Sequence, residues 1–202
     1  NFIDIGGMST APYLSTNVSE KLETKRIVNA IKIIQNSTNL PISVDTCRST
    51  VAENALKLGV EIINDVSGLK YDRRMVDVIR KYNPSLIICA HSKAITGRNH
   101  LKKTKDLIKD SIRIAKSAGI STKNITVDPA IGFFRRDGKG FPFTKINFDW
   151  FRRDKEIIEN LKLFSFGQPC MISISNKSMI GKILNESDPS RRLNGSLDLE
   201  MY

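Results

Sequence analysis

Histidine and cysteine are scarce. The 202 residues hold two histidines, His91 and His100, and three cysteines, Cys47, Cys89 and Cys170. So few histidines leave no zinc constellation of the usual spacing. The cysteines are odd in number, widely spaced and mostly in apolar surroundings, which predicts buried thiols in a reducing compartment rather than disulfides. No run approaches the roughly 18 apolar residues of a membrane span. No signal peptide is visible, although the chain opens at Asn1 in what already reads as a strand, so a missing start could hide one. The expected location is cytoplasmic. Internal repeats and low-complexity linkers are absent, and no GxGxxG follows the first strand.

What is present fits one sizeable globular domain: 40% of the residues are hydrophobic. The net charge of +11 is the one extreme property. A basic surface attracts nucleic acid, anionic lipid or phosphorylated metabolites alike. Two of the denser patches, Lys102, Lys103 and Lys105, and Arg135, Arg136 and Lys139, lack the aromatic interleaving of a single-strand binder. Neither nucleic acid nor membrane is an expected partner. A basic nucleic-acid-binding protein stays as the last alternative, and a homodimer stays open.

Short β-like runs alternate with longer helical ones. Strands are predicted at 1–5, 42–45, 60–64, 86–91, 125–128 and 171–175. Between them Ile27, Ile31 and Ile34 share a helical face, as do Val51, Ala55 and Leu58 before the stop at Gly59. Ile108, Ile112 and Ala115, the pair Met75 and Ile79, and the pair Ile157 and Leu161 mark three more, and 190–202 reads as a helix still in progress. Six strand-then-helix units argue for parallel strands with crossover helices. Without a dinucleotide motif, a closed barrel is preferred over an open doubly wound sheet. The expected fold is α/β, a TIM-type (β/α)8 barrel with its first and last strands outside the chain. Residues 1–202 are then one barrel domain, truncated at both ends.

The strands end alike. The first carries Asp4 just before Gly6 and Gly7; Asp45, Asn64, His91 and Asp128 close the next four, and the sixth runs into Ser175, Asn176 and Lys177. A single Asp or Asn there is ordinary turn or cap chemistry. Parallel strands, however, bring all six ends to one face, where a barrel binds its ligands. Asp45 and Asp128 can accept paired hydrogen bonds from an amidine-like edge, Asn64 offers a donor and an acceptor, and Lys177 can bond a carbonyl or ring nitrogen. That set suits a flat amino-heterocycle. It suits a lone phosphate poorly, because two carboxylates would repel it. His91 is read as ligand-facing. Gly6, Gly7 and Gly132 would allow close backbone approach, a service that turns also ask of glycine.

DIGGMSTAP (4–12), SVDTCRSTVAENALKLGVEIINDVSG (43–68), VDPAIGFF (127–134), SISNKSMIG (173–181) and SRRLNGSL (190–197) together resemble dihydropteroate synthase, in order and spacing, over nearly the whole chain. The resemblance implies a transferase of folate biosynthesis that condenses a dihydropterin pyrophosphate with p-aminobenzoate or a related arylamine, with Mg2+ accompanying the pyrophosphate. Small-molecule pterin and arylamine are the implied partners. By position, Asp45, Asn64, Asp128, Phe133 and Lys177 would bind the pterin, with Lys177 and Asp45 catalytic. Thr10, Pro12 and Ser178 would face the arylamine. No metal ligand is visible in this chain. A pterin-dependent methyltransferase domain shares some of these positions and is the alternative; the SNKSMIG run with Lys177 favours the synthase. There are departures. Ala11 and Asn176 stand where the family commonly has arginines, and Phe134 and Arg135 replace its Gly-Lys. The family's metal-contacting asparagine loop and its late Arg-x-His fall outside the chain. Arg135, Arg136 and Lys139 could restore the lost positive charge or form an ordinary solvated basic loop.

Overall fold

The computed structural model describes residues 1–12, 17–97, 99–138 and 143–201. Strands and helices alternate: β1 (Ile3–Gly6), α1 (Glu20–Gln35), β2 (Ile42–Asp45), α2 (Ser49–Lys57), β3 (Ile62–Asp65), α3 (Met75–Tyr82), β4 (Ser85–Cys89), α4 (His100–Ser117) and β5 (Ile125–Asp128). A short pair follows, β6 (Phe134–Arg135) with β7 (Thr144–Lys145), then α5 (Trp150–Glu159), α6 (Ser178–Leu184) and α7 (Leu193–Met201).

The five long strands are all parallel and lie in the order β1-β2-β3-β4-β5. Each strand thus pairs with its neighbour in sequence. A doubly wound sheet would reverse its strand order partway along; this one never does, which is the winding of a (β/α)8 barrel. Side chains alternate between two faces along a strand. Val44, Ile63, Ile88 and Val127 are fully buried in one apolar cluster with Ile27 and Ile31 of α1, Val51 and Ala55 of α2, Met75 and Ile79 of α3, and Ile108 and Ala115 of α4. The alternate residues of the same strands are left for the interior. The amphipathic spacing read from the sequence therefore marks the seam between helices and sheet. Its stops are also visible: Leu58 caps α2 and Gly59 turns away at φ +87. Leu161 lies in a separate 3-10 turn after α5. No helix among the described residues is long and apolar enough to cross a membrane.

Two expectations need correction. The fourth strand ends at Cys89, before His91. The sixth predicted strand, 171–175, does not form as a strand; one parallel bridge, Val127 to Cys170, joins that segment to β5. The reason is local. The Val127 N–H donates to the Pro169 carbonyl (2.9 Å) and the Met171 N–H to the Val127 carbonyl (2.8 Å). The next donor in a parallel ladder would be residue 129, a proline without an N–H. The β6–β7 pair was not predicted: two-residue strands carry no periodicity.

Candidate functional site

Register brings the strand ends together. Asp45 stands opposite Asn64 across β2 and β3, and Cys89 opposite Asp128 across β4 and β5. Residues opposite each other in a sheet share a face, so these side chains point to one side. There they line a cavity of about 310 Å³, together with Asp4, Thr10, Pro12, Phe133 and Lys177. Seven of the eight expected site residues thus meet in one place. The eighth, Ser178, is the first residue of α6, next to Lys177, and is not among the described residues that line the cavity.

The floor is polar and unfinished. The Asn64 amide Nδ2 donates to Asp4 Oδ2 at 3.2 Å, which turns Asn64 Oδ1 the other way. That Oδ1 and Asp45 Oδ1 are both buried without a hydrogen-bond partner among the described residues. Burial pushes the Asp45 carboxyl up to about 8, the charges of Asp4, Asp65 and Glu23 add to the rise, and Lys177 opposes it. Asp128 is also raised by burial, against the pull of the Ala130 N–H (2.6 Å to Oδ1) and of Lys177. Burial lowers the Lys177 ammonium while Asp128 holds it up. Lys177 Nζ lies 5.0 Å from the Phe133 ring centroid. Gly132, at φ +87, brings backbone so close to Lys177 that a Cβ would meet its Cδ at 3.1 Å. An L side chain there would be strained and would crowd the lysine.

His91 does not face this cavity. It is buried, its Nδ1 is 3.5 Å from the Thr144 hydroxyl, and burial with Lys70 and Lys93 nearby lowers it to about 4, leaving a neutral imidazole. Because β4 ends at Cys89, that thiol takes the lining position, and burial holds it well above the usual thiol range. Asp4, Cys89 and Ser173 also line the cavity outside the expected set of binding residues. Only Asp4 had a signal, as a polar strand end.

The departures also have structural readings. Asn176 adopts a left-handed φ of +52, a region that asparagine tolerates better than arginine would. Its backbone N–H donates to Ser196 Oγ (2.9 Å) and its carbonyl accepts from Arg192 (3.1 Å), so it is tied to the approach to α7 and to α7 itself. Ala11 lines the cavity with no charge to offer. Arg135 is not a solvated loop residue: it is buried, ion-paired to Asp154 (3.3 Å) and stacked 4.2 Å over Trp150, the single tryptophan. Arg136 is exposed, and Lys139 lies outside the described residues. Among the described residues no group of three or more His, Cys, Asp or Glu side chains is arranged to hold a metal ion, so they do not by themselves assemble a site for the implied magnesium.

The model of the pterin binding enzyme family matches residues 1–202. Dihydropteroate synthase from Clostridium beijerinckii is 36% identical over 186 residues, 92% of this chain and 64% of that protein. The Bacillus subtilis dihydropteroate synthase is 34% identical over 200 residues, 97% of this chain and again 64% of the relative. The chain thus spans a little under two thirds of either relative's length. A dihydropteroate synthase from Clostridium difficile, solved in the presence of pteroic acid, superposes with a TM-score of 0.84 at 35% identity, covering 98% of this chain and 70% of that one. Sequence order, barrel winding and whole-length match agree: this chain belongs to the pterin-binding enzyme family.

Proposed function

We propose that the chain carries the pterin side of a dihydropteroate synthase-type active site and transfers a dihydropterin from its pyrophosphate to p-aminobenzoate or a related arylamine. Residues 1–202 would act as one barrel domain, in the cytoplasm. One observation carries the reading: Asp45 and Asn64 each leave a buried oxygen unpartnered among the described residues, in a cavity that also holds Asp128 and Lys177. Buried acceptors without partners are costly, and a ligand edge bearing N–H groups would complete them. A pterin ring has such an edge and a carbonyl for Lys177. Phe133 would pack against the ring. Thr10 and Pro12, on the lining, and Ser178, at the start of α6, would face the arylamine.

The reaction asks for positioning and charge stabilisation rather than an enzyme nucleophile. The arylamine nitrogen attacks the exocyclic methylene carbon. The carbon–oxygen bond breaks and its electron pair leaves with pyrophosphate, a carbon–nitrogen bond forms, and the amine releases a proton to solvent. Once it gives up its proton, the Asp45 carboxylate would steady positive charge developing on the ring, while Lys177 would hold the ring in register. Calorimetric titration with a dihydropterin pyrophosphate, followed by assay of dihydropteroate formation with p-aminobenzoate, tests this. Binding and product are expected, with both lost in Asp128→Asn. Unchanged affinity in both Asp128→Asn and Lys177→Ala would overturn the assignment. Pterin binding with methyl transfer in place of condensation would favour the methyltransferase.

A further inference from the structure

The segment from Asp128 to Arg135 has two sides. Its front supplies Asp128, Gly132 and Phe133 to the cavity. Its back is gripped by α5. Arg153 is fully buried, and its Nη1 donates to the Ala130 carbonyl and to Asp154 Oδ1, each at 2.9 Å. Its Nη2 donates to the Pro129 carbonyl and to Thr104 Oγ1 (3.1 Å), and the guanidinium lies 3.8 Å from the Phe134 ring centroid. Asp154 Oδ2 accepts from the Gly132 N–H (3.1 Å) and from Arg135 (3.3 Å). Two adjacent side chains of one helix thus hold the main chain of Pro129, Ala130 and Gly132.

The gripped backbone is unusual. Ala130 sits at φ +63 and Gly132 at φ +87. A non-glycine residue persists in the left-handed region only where its surroundings over-determine it. A buried ion pair is a poor choice for stability alone, since well-packed apolar residues often do as well or better. Apolar residues, however, could not bond two successive carbonyls and an amide. We propose that Arg153 and Asp154 are positioning residues, which fix the Asp128–Phe133 segment in its ligand-binding shape before the ligand arrives. This rests on the pterin reading above.

The test uses the full chain, titrated with a dihydropterin pyrophosphate. Arg153→Lys keeps the charge and loses the planar fork that spans two carbonyls. Its pterin affinity is expected to fall by about tenfold or more, since small displacements at a binding site are costly. Its Michaelis constant for p-aminobenzoate is expected to stay within about twofold. The comparator is Ile157→Ala, in the buried core of the same helix, which lowers the thermal midpoint and leaves pterin affinity within about twofold. Equal pterin losses in the two variants, or retained affinity in folded Arg153→Lys, overturn the proposal. Hydrogen exchange on the ligand-free wild type decides it without mutation. The Ala130 and Gly132 amides are expected to be protected already; exchange at open-loop rates, slowed only by ligand, overturns it. A wild type that binds no pterin sinks the functional reading instead.

Discussion

Two buried polar clusters adjoin the same short stretch of chain, and they are built on opposite terms. On the cavity side, Asp45 Oδ1 and Asn64 Oδ1 have no partner among the described residues, and the Asp45 carboxyl is pushed up to about 8. Behind β5, both oxygens of Asp154 are taken, by Arg153 on one side and by Gly132 and Arg135 on the other. An unpartnered buried acceptor is expensive in a low-dielectric setting, whereas the Asp154 carboxylate is fully engaged and makes a rigid support, although Arg153 Nε has no partner among the described residues. The contrast separates the groups held ready for a ligand from the groups that hold them there. Removing a group from the first cluster should therefore cost binding with little stability, and removing one from the second should cost both stability and binding.

The largest break of that contrast is Asp154→Ala. It strands Arg153 as an uncompensated buried charge and is expected to cost about 3–5 kcal/mol of unfolding free energy, read from a denaturant midpoint. A loss below about 1 kcal/mol would place the cluster with ordinary surface pairs. Next comes Lys177→Ala, expected to weaken pterin binding about 10- to 100-fold, as for one hydrogen bond to a charged donor. Its thermal midpoint should hardly move; a large drop would make Lys177 a structural residue.

The third test separates the clusters by pH. The Asp45 carboxyl keeps its proton to about 8 in the folded chain, against an ordinary value of 3.8. The folded state therefore binds more protons between those limits, and this carboxyl's contribution to stability is lost as pH rises from about 4 to about 8. Asp45→Asn cannot titrate. It should be more stable than wild type near pH 8 by about 1–2 kcal/mol, discounted from the full shift because the cavity is open to solvent. The gain should vanish below pH 4, and equal differences at both ends would refute the raised carboxyl. The smallest effect is Ala130→Gly, which relieves a left-handed alanine but frees the unfolded chain, for a net gain of about 0.5 kcal/mol. A clear loss by calorimetry would mean that the alanine methyl packs for a purpose.

Much of the site was legible because strand chemistry is local. β2 and β5 begin and end where their apolar runs do, and Asp45 and Asp128 are their last residues. The same logic failed at His91, since strand length rather than polarity decides which residue reaches the rim, and β4 stops two residues earlier. It failed again at Arg135, which reads as one more charge in a basic loop until its partner appears nineteen residues later. Arg153 and Asp154 carry no motif at all; on paper they are two charges in a helix already rich in charge.

The sequence by itself determined the alternation of strand and helix, the parallel winding and the row of polar strand ends, because periodicity, turns and caps are settled by near neighbours. Tertiary structure alone decided that Pro129 cuts the sixth ladder to one bridge, that Asp4 turns the amide of Asn64, and that two residues of α5 grip the backbone beneath the cavity. These are relations between segments far apart in the chain, and the energy of a buried charge or an unpartnered acceptor depends on what surrounds it once the chain has folded.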